Sequence, residues 1–160
     1  MKSTANHLRE LIAQVLPSLQ NINDAEASLK PRPGKWSKKE ILGHLIDSAC
    51  NNQQKFVRMM AQPHLEFVGY AQNHWVSAQN YQKADWLSLI TFWQVYNLHL
   101  AHVIENVNEK VVQNTIMIEG TGPFTLEFIM KDYAEHLKHH LHQILPDVGL
   151  KSIFENVYGA

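Results

Sequence analysis

The sequence lacks most of the features that would assign it to a specialised class of protein. It has one cysteine, Cys50, in 160 residues, so it cannot form an intrachain disulfide. Its formal net charge is −1, without the basic excess that is typical of nucleic-acid-binding proteins. No apolar run approaches the about 20 residues of a membrane span, and the polar start of the chain does not resemble a signal peptide. We therefore expect a cytoplasmic protein that binds neither nucleic acid nor membrane.

What is present is ordinary for a globular protein. Hydrophobic residues make up 45% of the chain, so a buried core is expected and disorder is not. The length suits one domain, and we predict a single domain over residues 1–160. The sequence contains no internal repeat and no low-complexity tract.

Four segments have the apolar spacing of amphipathic helices, and they span about residues 4–19, 37–61, 85–107 and 125–145. The second has the clearest start, because Ser37 and Glu40 have the spacing of a capping box. Pro63 follows its predicted end, and Pro146 follows the end of the fourth. This pattern predicts an all-α fold, an up-and-down four-helix bundle.

The connector between the second and third predicted helices, residues 62–84, is long for a small domain. Connectors of this length often act as lids or binding loops. Its Tyr70, Gln72 and Trp75 are candidates to line a pocket, whereas Trp93 in the third helix more simply belongs to the core. Elsewhere, Thr115–Ile118 has the composition of a short extended segment, and a short C-terminal helix is predicted over residues 152–157.

Four of the ten histidines lie in the fourth predicted helix. At about 100° per residue, His136 and His140 fall near its apolar face, one turn apart, whereas His139 and His142 point outward. Two imidazoles at positions i and i+4 of a helix can bind one transition metal. The spacing alone is a weak signal, because two half-buried histidines at the edge of a core would give the same pattern.

A third donor is available in the second predicted helix. His44 lies in the first half of that helix, on a face that can turn inward. Three neutral histidines around one divalent metal leave a coordination position open, which is the pattern of catalytic sites. The motif differs from the zinc-protease sequence His-Glu-x-x-His, because Leu137 stands where that motif has glutamate. An alternative ligand is His139, which could replace one member of the pair.

Other reactive side chains have simpler interpretations. Cys50 lies on the apolar side of the second helix, where a cysteine usually packs rather than reacts. Asp47 and Glu135 could orient an imidazole, although exposed carboxylates are the more ordinary interpretation of both. His99 and His102 have no partner at i+4 and are expected at the surface or the core edge.

Three segments resemble the DinB-like family. They are KWSKKEILGHLIDS at 35–48, GYAQNHWV at 69–76 and YAEHLKHHLHQI at 133–144, in the order in which that family has them. The resemblance implies an up-and-down bundle with a divalent metal on His44, His136 and His140. It also implies an enzyme of one of two kinds, a metal-dependent hydrolase or a thiol S-transferase that uses a low-molecular-weight thiol such as bacillithiol or mycothiol.

We therefore expect a metal-dependent enzyme that activates water or a low-molecular-weight thiol and acts on a small-molecule substrate. Zinc or nickel is the expected metal, since imidazole suits both, although it also suits copper and iron. A homodimer is expected from the aromatic-rich third helix and from dimers among similar proteins. The alternative is a metal- or small-ligand-binding bundle without turnover. Apart from the metal ligands, the sequence assigns no catalytic residue.

Overall fold

The computed structural model describes residues 1–158, which are mostly helical. In chain order the elements are α1 (Lys2–Asn21), α2 (Asp24–Ser28), α3 (Lys38–Ala61), β1 (His64–Phe67), α4 (Gln72–Ala78), α5 (Trp86–Glu105), β2 (Thr115–Ile118), β3 (Thr121–Thr125) and α6 (Leu126–Ile144). Single 3₁₀ turns lie after α4 at Tyr81–Lys83, after α5 at Glu109–Val111 and after α6 at Pro146–Val148. None of the helices in residues 1–158 has both the length and the apolar character to cross a membrane.

The four long helices begin and end close to their predicted limits. The capping box of α3 is formed, since the Ser37 side chain accepts from the backbone of Glu40 and the Glu40 carboxylate accepts from the backbone of Ser37. Asp85 caps α5, and Thr125 caps α6. These caps satisfy backbone N–H groups that have no intrahelical partner. These elements do not test the prediction of a single domain over residues 1–160. Residues 159–160 lie outside the described range.

The long helices enclose one apolar core, but their packing order is not the order of the chain. Helix α1 packs against α5 and α6, and α3 packs against the same two helices. The consecutive long helices α1 and α3 therefore lie across the bundle from one another. This order does not confirm an up-and-down bundle. The largest fully buried side chains include Trp86, Trp93, Tyr133 and Phe56.

The prediction of an all-α fold was wrong in one respect, because the chain also forms a small sheet. Its order is β1–β2–β3, with β1 parallel to β2 and β2 antiparallel to β3. The extended segment Thr115–Ile118 is confirmed as β2. Strands β1 and β3 were not predicted, because four or five residues leave little local period. Strand β1 also pairs with β2 across a long stretch of chain.

The sheet and the connector together position a loop beside α3. The backbone N–H of Gly69 donates to Oε1 of Glu119, 3.2 Å away, which fixes residues 68–71 against the turn between β2 and β3. Farther along, Tyr81 packs against Gly43 so closely that a β-carbon on Gly43 would lie 2.2 Å from the tyrosine ring. The long connector is therefore folded back on α3, and it contains α4, which was not predicted.

The predicted C-terminal helix over residues 152–157 was wrong. This segment has no helical structure and lies along α6. The Ser152 hydroxyl donates to the backbone carbonyl of Glu135 at 2.8 Å, and the backbone N–H of Ile153 donates to the Glu135 carboxylate at 3.1 Å. Hydrogen bonds to α6 replace the internal ones that a helix would require, and the segment becomes one wall of the cavity described below.

Candidate metal centre

Three imidazoles from two helices come together in the bundle. His44 is on α3, and His136 and His140 are one turn apart on α6. One ring nitrogen from each lies within 4.8 Å of the others. The ring centroids are 4.6 Å apart for His136 and His140, 4.7 Å for His44 and His140, and 5.4 Å for His44 and His136. Three imidazole nitrogens grouped in this way could hold one metal ion.

His44 is the most buried of the three, with 1% of its surface exposed. Its ring packs against the indole of Trp36, with 5.1 Å between centroids. Neither ring nitrogen of His44 has a hydrogen-bond partner among the described residues. An unpartnered buried polar group costs about 1–3 kcal/mol. A metal ion on one of these nitrogens would supply a partner, so the residues present fit such a group.

The surroundings keep all three imidazoles neutral, which is the form that binds metal. Burial lowers the pKa of His44 to about 3, and the neighbouring His140 lowers it further. Burial also lowers the pKa of His140 to about 4, although its hydrogen bond to Gln143 opposes the shift. The pKa of His136 is well below its ordinary value, again because of burial first and the neighbouring histidines second.

Two polar side chains orient the imidazole rings of His136 and His140 on α6. Nδ1 of His140 lies 3.3 Å from Oε1 of Gln143, an acceptor, so Nδ1 carries the proton and Nε2 is available as a ligand atom. Nδ1 of His136 lies 3.4 Å from the hydroxyl of Ser48. Partners of this kind fix the tautomer and direction of a ligating imidazole. Neither Ser48 nor Gln143 was predicted at the site, although helical spacing places each on the same face as a histidine.

Asp47 and Glu135 do not orient the imidazoles. Asp47 is 2% exposed, so the expectation of a surface carboxylate was wrong. Its Oδ1 accepts hydrogen bonds of 2.7 Å from both Gln79 and Tyr81. Burial raises the pKa of Asp47, and these two hydrogen bonds oppose the shift. Glu135 instead pairs with Lys138 and holds the C-terminal segment.

The other candidate histidines and Cys50 are not among the three grouped donors, although the ring of His139 lies 5.0 Å from that of His140. His139 and His142 are exposed on α6, and His99 and His102 are exposed on α5. His139 does not belong to the group of three donors that the described residues form. Cys50 is half-buried rather than buried.

A cavity of about 300 Å³ lies between α3 and α6 and reaches His136 and His140. Its side walls come from Tyr70 in the loop before α4, from Gln72 at the start of α4, and from the C-terminal segment. The ring of Phe154 in that segment lies 5.0 Å from the ring of His136. Tyr70 and Gln72 thus line a pocket as the sequence suggested. The cavity is large enough for a small molecule to reach the cluster.

The other two candidate lining residues have different positions. Trp93 is fully buried in the core, as its simpler interpretation held. Trp75 packs against Tyr70, with 4.9 Å between ring centroids. It is absent from the residues that line the described cavity.

Comparisons with known proteins agree with this architecture. The chain is similar to YfiT from Bacillus subtilis, described as a probable metal-dependent hydrolase with an unusual four-helix bundle topology. The two share 18% identity with a TM-score of 0.81, over 90% of this chain and 83% of that one, a likeness that shows the fold. No curated protein matches the chain. The family model of the DinB superfamily matches residues 7–144, which include all three clustered histidines, and the chain therefore belongs to the DinB superfamily.

Proposed function

We propose that this protein is a metal-dependent enzyme in which His44, His136 and His140 bind one divalent cation, zinc or nickel. The observation that carries the proposal is His44, a buried imidazole without a hydrogen-bond partner that faces two further neutral imidazoles. Three neutral protein ligands leave one coordination position open, which is the arrangement of catalytic rather than structural sites.

When bound, such a cation supplies a nucleophile by lowering the pKa of a water molecule or a thiol. The protein's own residues have three tasks. Burial keeps the imidazoles neutral. Ser48 and Gln143 orient two of the rings. The walls of the cavity, which include Tyr70 and Phe154, limit access to small substrates.

Two reactions are consistent with this site. Attack by water gives a hydrolase, and attack by a low-molecular-weight thiol gives a thiol transferase. The metal ligands are the same for both, so the choice depends on what else the cavity admits. The description of YfiT as a probable hydrolase favours hydrolysis, and we place that reaction first.

A binding protein without turnover is the second candidate. One observation favours it: within residues 1–158, no carboxylate forms a hydrogen bond or ion pair with any of the three histidines. No carboxylate is therefore placed to raise the basicity of a ligating imidazole. The polar groups of the cavity would then recognise a ligand rather than a substrate.

Metal analysis combined with an activity screen tests the proposal. Purified protein would be analysed for zinc and nickel and assayed against model esters and amides, with and without thiols and electrophiles. We expect turnover that a chelator abolishes and that the added metal restores. The His44→Ala variant should lose both metal and turnover, and His142→Ala, on the exposed face of α6, is the matched control. Full metal occupancy without turnover in any assay would contradict the enzymatic part and favour the binding protein.

A further inference from the structure

The cavity extends well beyond the histidines, along one face of α3. Ser48, Asn52 and Lys55 line it, and they continue at helical spacing the face that begins with His44. At 1.5 Å per residue, Lys55 lies about 16 Å along the helix from His44. The cavity is therefore a groove whose far end is a different chemical environment from the histidine cluster.

On the opposite wall, α6 contributes His140, His136 and Asp132 at successive turns. Asp132 lies near enough to Lys55 for its negative charge to raise the pKa of the lysine. The groove thus has His136 and His140 of the cluster at one end, and one cation and one anion at the other.

Lys55 has no anionic partner at close range. Within residues 1–158, no carboxylate oxygen lies within 4.0 Å of its Nζ and no hydrogen bond uses it. Instead, Nζ lies 5.5 Å from the ring centres of Phe67 and Tyr158. Burial lowers the pKa of Lys55 to about 8, against the effect of Asp132. A poorly hydrated ammonium between aromatic rings gains from an anionic ligand.

Asp132 is held away from Lys55 by a different partner. Its Oδ2 accepts a hydrogen bond from the hydroxyl of Tyr158 in the C-terminal segment. Its Oδ1 has no hydrogen-bond partner among the described residues. The two opposite charges therefore face the same cavity without forming an ion pair with each other, and each has hydrogen-bonding capacity left for a ligand.

We infer that this end of the groove binds a zwitterionic group of the amino-acid type, with its carboxylate on Lys55 and its ammonium on Asp132. A simple anion would be attracted by Lys55 but repelled by Asp132. A simple ammonium ion would be attracted by Asp132 but repelled by Lys55. Only a group with both charges gains at both positions, and charge matching of this kind selects among ligands. The inference deepens the proposed function and rests on it for the position of the reacting end, which would lie toward the histidines.

Three small ligands of equal chain length test the inference directly. L-norleucine carries both charges, hexanoate only the carboxylate and hexylamine only the ammonium. Each would be titrated calorimetrically into zinc-loaded and metal-free protein. We expect norleucine to bind about tenfold more tightly than either of the others, a difference of about 1.4 kcal/mol. The preference should persist without metal, since the histidines are at the other end of the groove.

Isosteric variants assign each charge to its residue. Lys55→Met should abolish the preference for norleucine over hexylamine, and Asp132→Asn should abolish its preference over hexanoate. Arg58→Met is the matched control, because Arg58 is exposed on the same helix outside the cavity. Circular dichroism and zinc content would be measured on the same samples to show that each variant is folded.

Hexanoate binding as tight as norleucine, a preference confined to the zinc-loaded protein, or no binding at about 10 mM ligand would each overturn the inference. These failures are distinct from failure of the proposed function. Full zinc occupancy without ligand discrimination overturns only the zwitterion site. Ligand discrimination without zinc binding supports the zwitterion site and contradicts the metal centre.

Discussion

The rings of His44 and His140 lie 4.7 Å apart and nearly perpendicular, at 72°, although they belong to different helices. The relationship depends on the packing of α3 against α6 rather than on any local motif. Neither ring nitrogen of His44 has a hydrogen-bond partner within residues 1–158, and its contribution to a metal site requires this packing. The pair therefore links the fold directly to the proposed chemistry.

Metal content across alanine variants tests the ligand assignment. Substitution of His44, His136 or His140 removes one of three donors and should lower metal occupancy sharply. Substitution of His139 or His142 should leave occupancy nearly unchanged, because both side chains are exposed. Mass spectrometry of the purified variants measures the difference. An empty site in His139→Ala with a full site in His140→Ala would show that the wrong face was assigned, and retention of metal in all five would place the site elsewhere.

The Gln143→Leu variant tests the orienting hydrogen bond to His140. Without an acceptor at 3.3 Å, Nδ1 of His140 no longer holds its proton in a fixed direction. Removal of such partners typically weakens metal binding by about 10–100-fold. Competition with a chromophoric chelator measures the affinity, and Gln54→Leu, on an exposed position of α3, is the control. Equal affinities in the two variants would show that Gln143 does not orient the ligand.

The stability of the metal-free protein should decrease as the pH falls from about 6.5 toward about 5. The folded-state pKa values of His44 and His140 are about 3 and about 4, below the ordinary 6.5. In this range the unfolded chain binds protons that the folded chain does not, so acid favours unfolding. Urea unfolding at a series of pH values measures the effect, and His44→Asn should flatten it. Stability that rises as the pH falls would contradict the prediction. Metal affinity should weaken in the same direction, because protons compete for the imidazole nitrogens.

The Gly43→Ala variant should destabilise the fold, despite the preference of helices for alanine. In an exposed helix, alanine is favoured over glycine by about 1 kcal/mol. Here the new β-carbon would lie 2.2 Å from the ring of Tyr81 and displace a hydroxyl that donates to Asp47. Overpacking alone costs about 1–3 kcal/mol, and loss of a hydrogen bond to a carboxylate adds to it. Chemical denaturation measures the change. In a Tyr81→Ala background, the same substitution should become neutral or stabilising, and an unchanged penalty there would show that the clash is not its cause.

The homodimer stays a prediction, and we propose the outer face of α5 as its interface. Large apolar side chains are exposed there at Leu87, Phe92, Val95 and Leu98. Sedimentation at micromolar concentration should show a dimer that Phe92→Glu together with Val95→Glu converts to a monomer. Leu29→Glu, at an exposed position outside α5, should leave the dimer intact. A monomeric wild-type protein would contradict the prediction.

Much of the helical framework could be predicted because its signals are local. The capping box of Ser37 and Glu40 and the apolar spacing of each long helix involve residues within a few turns of one another. The same periodicity placed His136 and His140 toward the apolar face of α6 and His139 and His142 toward solvent. The family resemblance added His44, which the sequence pattern alone only placed on a face that could turn inward.

Several of the errors share one cause, which is dependence on distant parts of the chain. Strand β1 exists because β2 pairs with it from far along the sequence. The segment after α6 is extended because Ser152 and Ile153 bond to Glu135. Asp47 is buried because Gln79 and Tyr81 fold back onto α3 and supply its hydrogen bonds. A helical wheel contains none of these partners.

The sequence by itself determined the four long helices and the inward direction of two histidines, since the hydrogen bonds and side-chain spacing of a helix are set by near neighbours. Only the tertiary structure decided that His44 meets His136 and His140, and that Lys55 and Asp132 face one groove without pairing. Those relationships depend on how α3, α6 and the C-terminal segment pack together, and such packing is a property of the whole core rather than of any one segment.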